Sequence, residues 1–261
     1  MEIKDKKIII TGAGNGIGKE LTKQLLGKGA YVYGLDINEE NLNSLKEELN
    51  NERLKTYVID MGSRESISSF KEKFLSENDG VDILINNAGI IQPFTPIKDL
   101  EENIIDRVMN INFFGPVLLT KAFLDNLLTR EEGYIVNVSS MGGFFPFPNQ
   151  TIYGASKAAL KLFTEGLYSE LKGTNVHTMV VFPGAINTNI LKNSNVDLKG
   201  ISTSSGNYKM TSPEDTASQI VTGIEKNKFK VYVGSDCKFM KFIYKLSSKK
   251  AIDFINDKMK S

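Results

Sequence analysis

Short runs of Ile, Val, Leu and Tyr alternate along the chain with longer segments whose apolar residues recur every three or four positions. The short runs at residues 7–11, 30–36, 56–60, 81–86, 134–139 and 176–182 predict strands. Several are almost unbroken in apolar character, the pattern of strands covered on both faces of a parallel sheet. Between them, residues 17–28 place Ile17, Leu21, Leu25 and Leu26 on one helical face, and residues 41–50 do the same with Leu42, Leu45 and Leu49. Residues 63–77 add Ile67, Phe70 and Phe74, with Ser63 placed to cap. Strand–helix–strand alternation requires right-handed crossovers, which predicts a single α/β domain built on a doubly wound parallel sheet of about seven strands with helices on both faces. Neither an internal repeat nor a Pro- or Ser-rich linker interrupts the first 185 residues.

Residues 187–212 break the rhythm, being dense in Ser, Thr, Asn and Gly with only scattered apolar positions such as Leu191, Leu198 and Met210. A loop this long inside one domain is functional or without fixed structure. Because it follows a strand end, it reads as a lid over a ligand. The expected organisation is therefore a catalytic domain over residues 1–235, with residues 236–261 as a tail.

Composition removes several functions. Lys and Arg number 32 against 31 Asp and Glu, so a formal charge of +1 offers no broad basic face to nucleic acid. Cys237 stands alone, which excludes an intrachain disulfide framework and a Cys-rich zinc site. His177 stands alone too, which excludes paired-His metal motifs, so no metal is expected. His177 sits in the sixth strand with no evident partner and reads as structural. The first residues are mixed in charge, and only Ile8 to Ile10 follow as an apolar run, where a secretory signal needs about 7–15 apolar residues. No stretch approaches the roughly 18 apolar residues of a membrane span. A cytoplasmic protein is the expectation.

The first strand ends in Thr11-Gly12-Ala13-Gly14-Asn15-Gly16-Ile17-Gly18 and runs into a helix. The spacing is G-x-x-x-G-x-G rather than G-x-G-x-x-G. The physics of a Rossmann-type phosphate turn is the same in both. Glycines let the backbone approach a pyrophosphate, and the helix N-terminus presents N–H donors and a positive dipole end. An unliganded strand–helix turn has the same composition, so the second strand decides. Asp36 ends it, 18 residues after Gly18, where a carboxylate accepts both hydroxyls of an adenosine ribose and repels a 2′-phosphate. Neither Asn15 nor Ile37 offers a cation to a 2′-phosphate. NAD rather than NADP is the expected cofactor; the other reading of Asp36 is a residue opening the next helix.

Further along come Asn86-Asn87-Ala88-Gly89, Ser139-Ser140, Tyr153-Gly154-Ala155-Ser156-Lys157 and Pro183-Gly184. With the glycine turn, in this order and spacing over about residues 5–235, they resemble the short-chain dehydrogenase/reductase family, in its single-domain oxidoreductase branch. Tyr153 and Lys157 are four apart in a helical pattern and share a face. A free phenol titrates near 10, too high for a base at neutral pH, and an ammonium one turn away would favour the phenolate. The resemblance implies that Tyr153 exchanges the proton of the substrate hydroxyl, and that Lys157 also holds the nicotinamide ribose. It implies too that Ser140, with Ser139 as the neighbouring candidate, binds the substrate oxygen. It places Asn112 as the anchor of a water linking Lys157 to solvent. Pro116, four residues on, has no N–H for the Asn112 carbonyl and is expected to kink the helix there, leaving that carbonyl for the relay water. Further positions implied by the resemblance are Asp60 and Met61 at the adenine, Asn86 with Asn87, Ala88 and Gly89 as a cofactor wall, and Pro183, Gly184, Ile186 and Thr188 at the carboxamide. Each of these also reads as ordinary strand-end turn chemistry.

The stretch Phe144-Phe145-Pro146-Phe147-Pro148 reads as an apolar wall, which suits a secondary alcohol or ketone with an apolar portion. Packing of these rings under the lid or at a subunit contact is the alternative. The resemblance implies a homodimer or homotetramer built on the helices of Tyr153 and Asn112. The tail carries seven lysines against three aspartates, with Phe239, Phe242, Leu246 and Phe254 among its apolar positions. A basic amphipathic segment docks on its own protein, the commoner outcome, or on an anionic membrane. The main functional reading is an NAD-dependent oxidoreductase. The alternatives are a non-catalytic dinucleotide sensor or scaffold on the same fold, and a lipid-directed ketoreductase.

Overall fold

In the computed structural model, seven parallel strands form one sheet in the order β3-β2-β1-β4-β5-β6-β7. They are β1 (Lys7–Thr11), β2 (Tyr31–Asp36), β3 (Leu54–Val58), β4 (Ile83–Asn86), β5 (Gly133–Val138), β6 (Val176–Pro183) and β7 (Lys230–Val233). The order reverses at β1, which is flanked by β2 on one side and β4 on the other. The carboxyl ends of these strands therefore open the crevice in which doubly wound sheets bind ligands. The structure describes residues 1–187, 194 and 210–260, the side chains of 258–260 excepted.

The helices are α1 (Gly16–Gly27), α2 (Glu39–Leu49), α3 (Arg64–Glu77), α4 (Glu102–Met109), α5 (Gly115–Leu128), α6 (Thr151–Glu170), α7 (Pro213–Glu225), α8 (Ser235–Leu246) and α9 (Ser248–Lys260). Their starts follow local chemistry. Asn15, Asn38, Ser63 and Ser212 each accept a backbone N–H of the first turn they precede. Asn38 is why α2 begins at Glu39, two residues before its periodic leucines predict. β3 begins at Leu54 and ends at Val58, two residues earlier than its sequence pattern suggests.

Two apolar layers flank the sheet. On one side Ile8, Ile10, Val136 and Val181 meet Leu21 and Leu25 of α1 and Ile220 and Ile224 of α7. On the other, Ile9, Leu84 and Ile135 meet Phe70 and Phe74 of α3 and Phe123 of α5. Burying one such side chain contributes about 1.5–3 kcal/mol, so these stripes fix each helix against the sheet.

The tail packs on the protein. Cys237 and Met240 of α8 are buried, and Ala251 of α9 joins Phe145 in a separate cluster with Met240. The Cys237 thiol, pushed up to about 12 by burial, donates to the Phe182 carbonyl at 3.2 Å and is unreactive there. Among the described residues no helix is long and apolar enough to cross a membrane.

Candidate active site

The glycine turn closes as its spacing predicts. Gly12 and Gly16 hold φ of 68° and 52°, in the left-handed region that favours glycine. A side chain at Gly18 would collide with the Gly12 carbonyl oxygen. Asn15 caps α1 by accepting the Gly16 N–H at 2.6 Å. Thr11 accepts the N–H groups of both Asn87 (3.0 Å) and Ala88 (2.9 Å), while the Asn87 amide donates to the Thr11 carbonyl at 2.9 Å. The ends of β1 and β4 are thereby laced into one floor.

A cleft of about 280 Å³ opens above that floor, lined by Gly12, Asn15, Gly16, Ile17, Asp36, Asp60, Met61, Asn87, Ala88 and Gly89. The shape and donors fit a dinucleotide: a cradle bare of side chains, a helix N-terminus, and a carboxylate at the end of β2. Asp36 accepts the N–H of Gly14 at 2.9 Å and of Asn38 at 3.0 Å. It does not open α2; that role belongs to Asn38. Asp60 is held by the Gly62 N–H at 2.8 Å. Arg107 and Ile111 also line the cleft; nothing in the sequence marks them, because they arrive on the end of α4 and the turn that follows it.

Asn86 departs from the expected cofactor wall. It is buried in the core, donating to Asn137 (2.8 Å) and Thr120 (3.2 Å), so the strand end contributes to the cleft only from Asn87 onward. Ile186 forms a bridge with Thr211. The Pro183–Ile186 segment is pinned by the tail: Asp236 of α8 accepts the Ala185 N–H at 2.7 Å and occupies the space beside Gly184. Thr188 and most of the expected lid, 187–212, lie outside the described residues.

Ser140, Tyr153, Lys157 and Asn112 lie together at the neighbouring strand ends. Ser140 accepts the Gly142 N–H at 3.0 Å and faces Tyr153 across Gly142, where a Cβ would stand 3.5 Å from Ser140 Oγ and 3.3 Å from the Tyr153 ring. Ser139, the neighbouring candidate, is buried, and its hydroxyl donates to the Lys157 carbonyl at 2.8 Å. The Lys157 ammonium donates to the Val138 carbonyl at 3.0 Å. It faces Gly89, where a Cβ would stand 3.0 Å from Nζ and 3.2 Å from Asn112 Oδ1.

Asn112 is fully buried rather than solvent-facing. Its side chain accepts the Ile90 N–H and donates to the Ile90 carbonyl, both at 2.9 Å, and donates to Ser156 at 3.0 Å. The helix around it is not straight. A π turn over Asn110–Phe114 links α4 to α5, with the Gly115 N–H bonded to the Asn110 carbonyl five residues back. Pro116 stands in the first turn of α5, where a missing N–H costs least. The break therefore takes the form of a widened turn, a form common at functional sites.

Burial acts on the titration of both Tyr153 and Lys157. Tyr153 is held above its ordinary value, chiefly by burial of its hydroxyl although the residue as a whole is partly exposed; the Ser140 hydrogen bond opposes this. Lys157 stands one helical turn further along α6. Its own titration is pulled down to about 8 by burial. Desolvation disfavours the phenolate and the ammonium alike.

Other residues fall where the sequence did not place them. Gln92, fully buried, accepts the N–H groups of Ile152 (2.8 Å) and Tyr153 (3.0 Å) and caps the helix carrying the phenol. Phe145 is buried with Met240 and Ala251, and Phe144 packs edge-on against Phe182, so the aromatic stretch is in good part packing under the tail rather than a substrate wall. His177 has partners after all, Glu132 at 3.5 Å and Asn227 at 3.2 Å.

A family model described as short chain dehydrogenase matches residues 6–199. Dehydrogenase/reductase SDR family member 7B of Xenopus laevis is 36% identical over 195 residues, covering 72% of this chain and 60% of the relative. The chain thus matches less than two thirds of that relative's length. The 3-oxoacyl-[acyl-carrier-protein] reductase FabG of Thermotoga maritima is 36% identical over 190 residues, covering 72% of this chain and 77% of the relative. Among solved structures, a short chain dehydrogenase/reductase from Burkholderia phymatum in complex with NAD superimposes with a TM-score of 0.80 at 22% identity, covering 89% and 90% of the two chains. The closed form of serine dehydrogenase complexed with NADP+ superimposes with 0.77 at 28% identity, covering 87% and 94%.

Proposed function

From the chain's membership of the short-chain dehydrogenase family, a family of oxidoreductases using nicotinamide dinucleotides, we propose that it interconverts a secondary alcohol and a ketone with NAD as the preferred cofactor. The observation that carries the reading is the convergence of Ser140, Tyr153, Lys157 and Asn112 beside the glycine cradle.

A bound nicotinamide ring would supply the hydride acceptor for the carbinol carbon, or the donor for the carbonyl carbon. Gly12, Gly16 and Gly18 would admit the pyrophosphate, Asp36 the adenosine ribose, and Asp60 and Met61 the adenine. Lys157, facing Gly89, would hold the nicotinamide ribose. The segment Pro183, Gly184 and Ile186, tied down by Asp236, supports the carboxamide. Ser140 positions the substrate oxygen through the hydroxyl that already meets Tyr153. Tyr153 takes the hydroxyl proton in oxidation and gives it back in reduction. Burial raises the phenol, and the positive charge of an oxidised nicotinamide would lower it. Lys157, titrating at about 8, is suited to pass that proton on, and Asn112 would anchor the relay to solvent.

NAD preference rests on Asp36, whose carboxylate opposes a 2′-phosphate; Arg107 in the same cleft is the residue that works against it. The exposed Leu162 on α6 and Phe114 beside α5 favour a homodimer or homotetramer through these helices. A cytoplasmic setting belongs to the same proposal. The test is a panel of ketones and secondary alcohols assayed with NADH, NADPH and their oxidised forms, with Tyr153→Phe as control. Turnover preferring NADPH refutes the cofactor assignment. Dinucleotide binding without turnover on any substrate favours a sensor.

A further inference from the structure

The outward face of α8 carries two parallel stripes. Phe239, Phe242 and Leu246 recur at intervals of three and four, and Lys238, Lys241 and Lys245 immediately precede them. Successive turns therefore show a lysine beside a large apolar side chain. All six are exposed, Phe242 to 63% and Leu246 to 71%. The helix is already anchored by Cys237 and Met240 on its inner face, and packing among the described residues does not account for the outer one. Phe239 meets Phe254 of α9 edge-on at 6.5 Å, which carries the apolar surface onto the last helix.

The lysine stripe opens onto a groove of about 670 Å³ between α7, β7 and α8, which Lys228 and Lys230 also line and, among the described residues, no carboxylate does. Lys230 is held by Glu165 at 2.7 Å, and the Lys241 ammonium lies 3.8 Å over the Tyr232 ring. Among the described residues, Lys228, Lys238 and Lys245 form no ion pair. Asp236, the one acid of α8, is spent on the Ala185 N–H; Asp253 and Asp257 lie on α9. A chain of formal charge +1 thus concentrates unpaired positive charge beside exposed apolar side chains.

We propose that this face docks on an anionic membrane surface. The lysines meet lipid phosphates, and Phe239, Phe242 and Leu246 enter the headgroup–acyl boundary, the arrangement of a helix lying in the interface plane. A second copy docked across a two-fold axis brings the same basic surface against itself, which charge disfavours. The inference does not depend on the oxidoreductase reading, because its readout is partitioning rather than turnover.

The full chain is sedimented with vesicles of phosphatidylcholine alone and with vesicles containing about 30 mol % phosphatidylglycerol. Binding is expected only to the anionic vesicles, and is expected to weaken steeply on raising salt to about 0.5 M. The triple variant Lys238→Ala, Lys241→Ala, Lys245→Ala is expected to partition roughly a hundredfold more weakly. The variant Phe239→Ser, Phe242→Ser, Leu246→Ser is expected to lose binding with its charge unchanged. Thermal melts matching wild type confirm that both variants fold, and Leu246→Ser alone serves if the triple does not. Wild type left in the supernatant, equal pelleting with neutral vesicles, or full binding by the lysine variant overturns the proposal. So does an assembly that shrinks in the apolar variant while no vesicle binding is seen, which assigns the face to a second copy.

Discussion

Gln92, in the loop after β4, accepts the backbone N–H of Tyr153 at 3.0 Å through its side-chain carbonyl. The same oxygen takes the Ile152 N–H at 2.8 Å, and the Gln92 amide donates to the Asn149 carbonyl at 3.0 Å. The start of α6 lacks a side-chain cap from its preceding residue, Gln150, so this distant side chain supplies one. It joins the cofactor floor to the helix that carries the phenol.

Gln92→Ala is therefore expected to lower stability by about 1–2 kcal/mol, since it leaves two partly buried N–H groups without their acceptor. It is also expected to lower kcat more than it raises KM, because Tyr153 loses its fixed position rather than a binding contact. Urea denaturation and steady-state kinetics on one preparation check both. Unchanged kcat with lowered stability makes the role purely structural.

Tyr153→Phe removes the proton carrier while leaving the ring in its packing. Turnover is expected to fall at least about 10²-fold. Dinucleotide affinity, read by quenching or calorimetry, is expected to change little. Residual activity near wild type contradicts the mechanism.

Gly18→Ala places a methyl against the Gly12 carbonyl oxygen and crowds the Asn87 amide, both backed by the β1–β4 floor. Overpacking of this kind costs about 1–3 kcal/mol. The larger effect is expected on the dinucleotide, whose affinity falls because the turn must shift outward. A cofactor titration and a thermal melt separate the two. Gly27→Ala, where a Cβ meets nothing within 4 Å, is the matched control expected to do neither.

Lys157 gives the pH dependence a sign. Its titration lies at about 8 in the folded protein against an ordinary 10.5. Between those values the unfolded chain binds the extra proton, so this residue makes stability rise with pH across that window. Below about 8 both states are protonated, and burial of the charge is a constant cost. Relative to Lys157→Met, wild type is expected to gain on the order of 1–3 kcal/mol between about pH 8 and 10.5. Parallel stability curves for the two proteins would contradict the assigned titration.

The order of strands and helices was legible in the chain because each signal is local. The unbroken apolar run at Ile8, Ile9 and Ile10 specifies a strand covered on both faces, and β1 spans Lys7–Thr11 as read. Ser63 capped α3 as expected because a hydroxyl reaches an N–H three residues on without help from the rest of the fold. The glycine turn was equally readable: positive φ and close approach belong to the glycines themselves.

Contacts between distant segments were not legible in this way. Gln92 reaches α6 across 61 residues, and Asp236 reaches Ala185 across 51. Asn86 turned inward because Asn137 and Thr120 met it in the core, and Phe145 was covered because α8 and α9 fold back over it. The balance between Lys157 and Tyr153 was not legible for the same kind of reason. Four residues of helix put both on one face, but the Val138 carbonyl drew the ammonium and burial raised the phenol. Backbone geometry and local hydrogen bonding are written into neighbouring residues, whereas burial, desolvation and long-range partners exist only once separate segments have met. The amino-acid order fixed the sheet, the cradle and the candidate chemistry; the packed fold decided which side chains hold that chemistry in place and at what charge.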